Sequence, residues 1–301
     1  MPPARRRHAR VVRVVRTGWL TPSVRRVVVG GPGLAGLEPS PYADAYVKLV
    51  FVPREVPRPL PRVDGGPWVD LDAVRDASPR ALAPRLRSYT VRDLDPSALE
   101  LTLDVVVHGA AGLAGPWARS VVPGDALLLL GPGGGYRPDP QASRHLLAAD
   151  ASAMPAVAVA VSRLPRDATG DVVVEVPTRE DEVELDAPDA VTVQWVHQGG
   201  ARPGDRLVEA VTALPWPGDD VHAFVHGEAG AVRRLRHYLR VERGLALDRL
   251  SVSGYWRLGV DDEGWRAGKR DWNAGIEESE RLPVAAAAGP DRPDASPVPP
   301  R

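Results

Sequence analysis

The segment RSYTVR, at residues 87–92, carries side chains suited to binding a flat, anionic cofactor. Its second half is a predicted strand, which directs alternate side chains to one face. On that face we expect an aromatic ring and a hydroxyl group to meet a flat ring, while Arg87 pairs with an anion such as a diphosphate. A guanidinium suits this task because its planar fork can bond two phosphate oxygens at once. The alternative interpretation is a tyrosine in a sheet core with surface arginines.

A second candidate is the glycine-rich stretch DVVVHGAAGLAGPWA at residues 104–118. Glycines before a helix start let backbone N–H groups approach a phosphate, and the helix dipole favours the negative charge. No GxGxxG follows the first strand of the second predicted domain, so the usual dinucleotide fingerprint is missing. For His108 we favour a structural, hydrogen-bonding histidine over a proton-transfer group.

Two further motifs lie near the C-terminus. Gly227-Glu228-Ala229 follows a predicted strand directly and opens a helix, at the carboxyl end of a parallel strand, where α/β sheets bind ligands. Glu228 could instead serve only as a negative charge at the helix N-terminus. The segment Tyr255-Trp256-Arg257, with the tryptophans and cations up to Trp272, could stack rings and bind anions, or form a surface strand packed on a core.

Short strands dominate the first half of the chain. Residues 10–29 alternate valine with arginine and turn at Thr21-Pro22, which predicts an antiparallel hairpin with one solvated face. More strands are predicted at 45–51, 86–92, 99–107 and 125–130, and a short helix near 68–73. Strands separated by turns, with few helices between them, favour a small antiparallel β-barrel over residues 1–140.

Beyond residue 140, predicted strands alternate with helices. The strands are expected at 145–149, 171–176, 191–196 and 221–226, and the helices at 152–164 and around 232–244. This alternation predicts an α/β domain with a parallel sheet over residues 141–275. The Pro/Ala-rich residues 276–301 are expected to form a disordered tail.

Composition excludes several classes of protein. The 301 residues suffice for two domains, and a net charge of −1 gives no field that would draw the chain onto nucleic acid or an anionic membrane. The absence of cysteine excludes thiolate nucleophiles and iron–sulfur clusters. We find neither a signal-peptide core nor an apolar run near the ~20 residues of a membrane span, and therefore expect a cytoplasmic protein.

The order of the motifs resembles that of the siderophore-interacting proteins, which are ferredoxin-reductase-like flavoproteins. The likeness runs from Arg10 to Trp272, through Lys48, RSYTVR, DVVVHGAAGLAGPWA, GDALLLLGPGGG, AADASAMPAVA, HGEAGAVRRLR and SGYWRLG. It implies an FAD-binding β-barrel followed by an NAD(P)H-binding α/β domain. The residues implied at the FAD site are Arg87, Ser88, Tyr89, Thr90, Asp104, His108, Gly115, Trp117 and Ala118.

The resemblance also implies a nicotinamide site and a substrate site. The nicotinamide site would comprise Asp150, Ser152, Gly227, Glu228, Ala229, Tyr255 and Trp256. The family motif Gly-Asp-Glu-Thr-Ala-Leu-Pro-Ala is ADASAMPA here (149–156), so Ala151 replaces its glutamate and puts the role of that acidic group in question. Lys48 and Arg257, with Arg137 as a third candidate, look like the family's basic residues at the siderophore mouth.

The implied activity is electron transfer from NAD(P)H through FAD to Fe(III) in a ferric siderophore, with release of Fe(II). We expect no acid–base triad, no protein-bound metal and a monomer. Arg179 favours the 2′-phosphate of NADPH whereas the acidic residues 180–182 disfavour it, so both nucleotides remain open. Two alternatives also remain: a general flavin or ferric reductase, and a non-catalytic siderophore-binding protein that has lost flavin.

Overall fold

The computed structural model describes residues 6–109, 112–216, 218 and 220–281. The first sheet has eight strands: β1 (His8–Thr21), β2 (Val24–Gly30), β3 (Tyr46–Phe51), β4 (Trp68–Asp70), β5 (Arg85–Thr90), β6 (Asp93–Asp95), β7 (Glu100–Val106) and β8 (Ala126–Gly133). Two short helices belong to the same part of the chain, α1 (Leu71–Asp76) and α2 (Ala114–Ser120).

This first sheet is antiparallel and closes on itself. Its hydrogen-bonded order is β5-β3-β8-β1-β2-β7-β6, with β4 paired to β1. The two ends of that path, β5 and β6, are separated in sequence only by Val91 and Arg92, so the sheet must curl until they meet. At this seam the Arg92 N–H donates to the carbonyl of Thr102 on β7, at 2.9 Å. The predicted antiparallel barrel is confirmed.

The alternating sequence explains the first hairpin. Val12, Val14, Val27 and Val29 are at most 3% exposed and belong to the barrel core. Arg13, between two of them, is exposed because neighbouring side chains on a strand point to opposite faces. The two strands are joined at the predicted turn.

The segment at residues 68–73, predicted as a short helix, differs from its prediction. Residues 68–70 form strand β4 because they pair with the start of β1, and the helix begins only at Leu71. Asp70 marks that boundary, since its carboxylate accepts the N–H groups of Asp72 and Ala73 and so caps α1.

The second sheet has five parallel strands in the order β11-β10-β9-β12-β13. They are β9 (Arg144–Asp150), β10 (Gly170–Val176), β11 (Val191–His197), β12 (Val221–Glu228) and β13 (Leu250–Trp256). The helices of this part are α3 (Met154–Ser162), α4 (Asp205–Ala213), α5 (Ala229–His237), which continues as a π-helical turn, and α6 (Asp262–Arg281). One apolar cluster contains α3 and another contains α4 and α5. The carboxyl ends of all five strands therefore meet at one edge.

Helices α4 and α6 were not predicted. Helix α6 includes residues 276–281, which the sequence analysis assigned to the tail, and residues 282–301 lie outside the described part of the chain. Trp265 and Ile276 bury one side of α6, at 3% and 2% exposure. Among the helices that the structure describes, none combines the length and apolarity needed to cross a membrane.

Asp181, in the second domain, forms hydrogen bonds to the first domain. It follows β10, yet its Oδ1 accepts the Thr21 hydroxyl (2.9 Å) and the Ser23 N–H (3.0 Å) from the β1–β2 turn. Its Oδ2 accepts the Thr178 hydroxyl at 3.1 Å. Burial opposes ionisation, but these hydrogen bonds together outweigh it and lower the pKa of Asp181.

The variant Asp181→Ala should lose about 2–4 kcal/mol of unfolding free energy at neutral pH, because the buried Thr21 hydroxyl and the half-buried Ser23 N–H lose their acceptor. A lowered folded pKa means that this stabilisation is present above the ordinary aspartate value of about 3.9 and is lost as pH falls through the folded value. The gap between wild type and variant should therefore shrink in acid. Urea unfolding at several pH values measures it, with the exposed Asp189→Ala as the control. A gap independent of pH would contradict this role.

Candidate functional site

One face of β3 and β5, opposite the barrel core, is polar. Tyr46 pairs with Thr90 and Lys48 with Ser88 across the two strands, so the four side chains share this face. Ser88 is exposed, and the half-buried Lys48 has its ammonium 6.0 Å from the centre of the Tyr46 ring. The structure thus brings together Lys48, Ser88 and Thr90, which the sequence analysis took from separate motifs.

Tyr89 does not lie on that face. It pairs with Val47 and packs against the barrel core, and burial raises its pKa. The expectation that the aromatic ring and the hydroxyl group of RSYTVR meet a ligand on one face is therefore wrong, since adjacent strand residues point in opposite directions. Because the two side chains lie on opposite faces of β5, a flat ring cannot stack on Tyr89 and bond Thr90 from one side of the sheet.

Arg87 already has carboxylate partners. Its guanidinium, 11% exposed, forms ion pairs with Asp262 (2.9 Å) and Glu263 (2.8 Å) in the first turn of α6. Arg266, one turn further on, donates to the carbonyl of Leu86 at 2.8 Å. The start of α6 therefore lies against β5, and an anionic ligand at Arg87 would share or displace these contacts.

The glycine-rich stretch at residues 104–118 contains both residues that support the barrel and residues that remain free to contact a ligand. Both carboxylate oxygens of Asp104 accept from Arg26 at 2.7 Å, which engages them inside the barrel wall. Ala118 is fully buried in the barrel core, and Trp117 packs edge-on against Phe51 at 6.0 Å.

Of two more residues in this stretch, Gly115 lies in the first turn of α2 and His108 lies in the loop before it. Gly115 has room for a side chain, because an added Cβ would be 3.7 Å from the Val106 carbonyl. His108 is exposed in the loop before α2, of which residues 110 and 111 lie outside the described part.

Asp150 organises the carboxyl edge of the parallel sheet. Its Oδ1 accepts the N–H (2.8 Å) and hydroxyl (2.5 Å) of Ser152, and its Oδ2 accepts the N–H of Glu228 (2.7 Å) and the indole N–H of Trp256 (2.8 Å). Burial raises the pKa of Asp150. Gly227 has φ +146°, and a Cβ there would lie 2.7 Å from the carboxylate, so glycine is required. Asp150, Ser152, Gly227, Glu228 and Trp256 are thus brought together.

Glu228 serves the scaffold as well. Its Oε2 accepts the N–H of Ala231 at 2.9 Å and caps α5, which is the simpler of the two interpretations of this residue. Its Oε1 accepts the N–H of Leu258 at 3.1 Å and so ties the loop after β13. Ala229 is fully buried at the start of the same helix.

Tyr255 connects this edge to the first domain. Burial raises the pKa of Tyr255, and the neighbouring hydroxyl of Thr90 offsets part of that rise. Asp44 and Tyr46 of the first domain and Asp150 of the second also act on it electrostatically. Tyr255 also packs against a buried cluster in which Ala43 of the first domain meets Ala149 of the second, so the carboxyl edge of the parallel sheet lies against the first domain.

The sequence analysis missed His226. Its ring is 2% exposed and lies 3.2 Å from the Tyr255 hydroxyl through Nδ1 and 3.0 Å from the Ser251 hydroxyl through Nε2. The signal available in the sequence was a histidine within the otherwise apolar run VHAFVHGE, directly before the Gly-Glu motif.

Several cations next to this region have no acidic partner among the residues that the structure describes. They are the half-buried Lys48 and Arg92 and the exposed Arg137 and Arg257. Arg92 ends the RSYTVR motif and was given no role in the sequence analysis. These charges lie on separate segments, and each is available to an anionic ligand.

Comparison with known proteins agrees with this arrangement. Residues 13–136 match the siderophore-interacting FAD-binding domain, and residues 142–259 match the siderophore-interacting protein family. Ferric vibriobactin reductase ViuB of Vibrio cholerae is 31% identical over 267 residues, covering 86% of this chain and 93% of that protein. An uncharacterized protein of Mycobacterium tuberculosis is 46% identical over 274 residues, with the same coverage.

Solved structures show the same fold. A siderophore utilization protein from T. fusca superposes with a TM-score of 0.71 at 38% identity, covering 84% of this chain and 94% of that one. The ferredoxin reductase of carbazole 1,9a-dioxygenase shares the fold alone, with a TM-score of 0.58 at 14% identity over 85% of this chain and 71% of that one. The fold is ferredoxin-reductase-like, and the chain belongs to the siderophore-interacting protein family.

Proposed function

We propose that the protein is an FAD-dependent reductase that passes electrons from NAD(P)H to Fe(III) in a ferric siderophore and so releases Fe(II). The observation that carries the proposal is that Tyr255, at the end of a parallel strand, packs against a buried cluster in which Ala43 of the first domain meets Ala149 of the second, so the ligand edge of the parallel sheet lies against the barrel domain. The name of ViuB, a ferric vibriobactin reductase, supports the same activity.

The available donors fit FAD. Ser88, Thr90 and Lys48 offer hydroxyl and ammonium groups that can bond the polar edge of an isoalloxazine, and Tyr89 lies at the same strand. The diphosphate needs cations, and Arg92 can supply one. Arg87 can supply another if its ion pairs with the carboxylates of α6 are broken. When bound, FAD takes two electrons from a nicotinamide and delivers them singly to iron.

The second domain would bind the nicotinamide nucleotide. Asp150 and Glu228 position the strand ends and the loop after β13. Ala151 supplies no carboxylate, so the domain must function without the family's glutamate at this position.

Residues 180–182 are all acidic, but their side chains have different surroundings in the structure. Asp181 points into the first domain, and Glu182 bonds His197 at 2.7 Å, so the exposed Glu180 and Arg179 face the solvent. We propose either NADH or NADPH as the reductant. Because these nucleotides are cytoplasmic, we also propose that the protein acts there, as a monomer.

Ferric siderophores are complementary in charge to the cations that have no acidic partner among the described residues. Fe(III) is bound by hard, anionic oxygen donors, and the same donors bind Fe(II) far less tightly, so one electron releases the metal. Lys48, Arg137 and Arg257 would attract the anionic chelate to the junction.

Purified protein should bind FAD, and anaerobic NADH or NADPH should bleach the flavin absorption. A ferric siderophore should then restore the absorption and yield Fe(II), which a ferrous-specific chelator traps. Rates with a soluble dye acceptor separate a siderophore reductase from a general flavin reductase. Folded protein that takes up no FAD would refute the proposal.

The double variant Lys48→Ala/Arg257→Ala should raise KM for an anionic ferric chelate about tenfold, which corresponds to about 1.4 kcal/mol. Arg166→Ala is the matched control, because Arg166 lies before β10 at the opposite edge of the parallel sheet and is exposed. Equal KM values for the double variant and the wild type would remove both residues from the substrate site.

The α6 carboxylates should compete with FAD for Arg87. We expect Arg87→Ala to weaken FAD binding and Glu263→Gln to tighten it about threefold or more, because a negative charge next to the diphosphate is removed. Fluorescence titration with FAD measures both, and Glu278→Gln, exposed on the same helix, is the control. Should neither variant change the dissociation constant, Arg87 binds only α6.

A further inference from the structure

Two buried histidines lie next to each other at the edge of the parallel sheet where its strands begin. His145 is the second residue of β9 and pairs with His222, the second residue of β12. Their ring centroids are 6.2 Å apart in an edge-on arrangement, and the residues are 1% and 9% exposed. This edge is opposite the ligand edge, so these two residues, called the histidine pair below, lie outside the candidate site.

The imidazole of His222 contacts the segment that connects the two domains. Its Nδ1 accepts the N–H of Asp139 at 3.0 Å, and the ring of Tyr136 stacks on it with 5.2 Å between centroids. Both partners lie between β8 of the barrel and β9 of the parallel sheet. A neutral imidazole can accept the N–H of Asp139, whereas an imidazolium donates from both nitrogens and cannot accept. Protonation of His222 would therefore set two donors against each other and break this contact.

Protonation of either ring is opposed by its surroundings. Neither nitrogen of His145 has a hydrogen-bond partner in the part of the chain that the structure describes. Burial, and after it the neighbouring His222, lower the pKa of His145 to about 4, against the attraction of Asp139 and Asp220. Burial also lowers the pKa of His222, which the Asp139 carboxylate opposes. Both rings are therefore neutral at neutral pH, and so is Tyr136, because burial raises its pKa.

The charged groups that face the pair, Asp139, Asp220 and Arg249, already match one another. The guanidinium of Arg249 pairs with the Asp139 carboxylate at 2.5 Å and also with that of Asp220. The hydrogen bond from the Gln141 N–H is the main cause that lowers the pKa of Asp139. The hydroxyl of Ser143 does the same for Asp220. Helix α3, which packs on the same face of the sheet, has no charged side chain. In mild acid both carboxylates stay ionised, so the groups that gain protons here are the two histidines.

We propose that the histidine pair is an acid-sensitive switch for the segment between the domains. When both rings are neutral, His222 binds Asp139 and the segment lies against the parallel sheet. When the pair takes up protons from solvent, the contact with Asp139 breaks and the segment is released from this edge. Loss of the protons restores the contact. No cofactor or substrate takes part, so the inference does not rest on the proposed function.

The lowered pKa of His145 fixes the pH range in which the switch acts. A solvent-accessible histidine takes up its proton at about pH 6.5, whereas folded His145 does so at about pH 4. The stabilisation is therefore complete above about pH 6.5 and is lost as the pH falls from there towards the folded value. The stabilisation by Asp181 is lost only below about pH 3.9, so the two effects lie in separate ranges.

Hydrogen exchange of the Asp139 N–H tests the switch directly. After correction for the intrinsic pH dependence of exchange, its protection should fall about tenfold between about pH 7.5 and about pH 5.5. The reason is that a solvent-accessible histidine is about ten times more often charged than neutral at the lower pH. The variant His222→Gln should keep the same protection at both pH values, since its amide oxygen can accept the N–H and does not titrate. His237→Gln, exposed on α5, is the matched control and should behave as the wild type.

The variant His145→Leu tests the other ring. It should be at least as stable as the wild type at the higher pH, because ring nitrogens without partners are removed from the core. Between the same two pH values, the equilibrium constant of unfolding in urea should rise about tenfold more in the wild type than in this variant. His226, a third buried histidine, is present in both proteins, so its contribution cancels in the comparison.

Three results would overturn the inference. Equal protection of the Asp139 N–H at both pH values in the wild type would refute the switch. A fall in His222→Gln as large as in the wild type would mean that another group responds to acid. If His145→Leu keeps the full pH dependence of unfolding, the two histidines do not act as a pair. Should His145→Leu fail to fold, the exchange measurements on the wild type and His222→Gln still decide.

Discussion

The buried carboxylate of Asp150 is the group on which the ligand edge of the parallel sheet depends. A carboxylate removed from water is costly unless donors surround it, and here Ser152, Glu228 and Trp256 supply four hydrogen bonds. These donors belong to the ends of β12 and β13 and to the turn after β9. The Asp150 carboxylate therefore holds the ends of β9, β12 and β13 within hydrogen-bond distance of one another. Residue 227 must be glycine, because a Cβ there would collide with this carboxylate.

This constraint separates residues that build the site from residues free to bind a ligand. The oxygens of Asp150, Glu228 and Asp104 are engaged by protein donors, so their part is to position the backbone. The free groups are of another kind: the exposed Ser88 hydroxyl on β5, and cations that have no carboxylate partner in the part of the chain that the structure describes. A ligand that combines a hydrogen-bonding ring with anionic groups is complementary to that set, and a ferric chelate with anionic donors is complementary to the remaining cations.

The sequence predicted local features well and tertiary ones poorly. The valine alternation in β1 and β2 and the apolar runs of β9, β10 and β12 follow from side-chain period, which is a local property. Helix α6 was missed because its apolar positions, Trp265, Trp272 and Ile276, are widely spaced among charges and glycines. His226 was missed for a different reason: its partners Tyr255 and Ser251 lie on the neighbouring strand β13, and only the fold brings them within reach.

The position of one domain relative to the other depends on an apolar cluster, in which Val24 and Ala43 pack with α3 and the parallel sheet, and on polar contacts on separate segments. Asp181 accepts hydrogen bonds from the β1–β2 turn, and α6 pairs with Arg87 of β5 on one side while its Trp265 packs on Gly254 of β13 on the other. Hydrogen bonds and ion pairs have narrow geometric tolerance, so they help to specify the orientation of the two domains. A site shared between a barrel strand and a sheet edge requires that kind of precision. Helix α6 contributes to this arrangement, because Glu263 of α6 pairs with Arg87 on β5 and Trp265 of the same helix packs on Gly254 of β13.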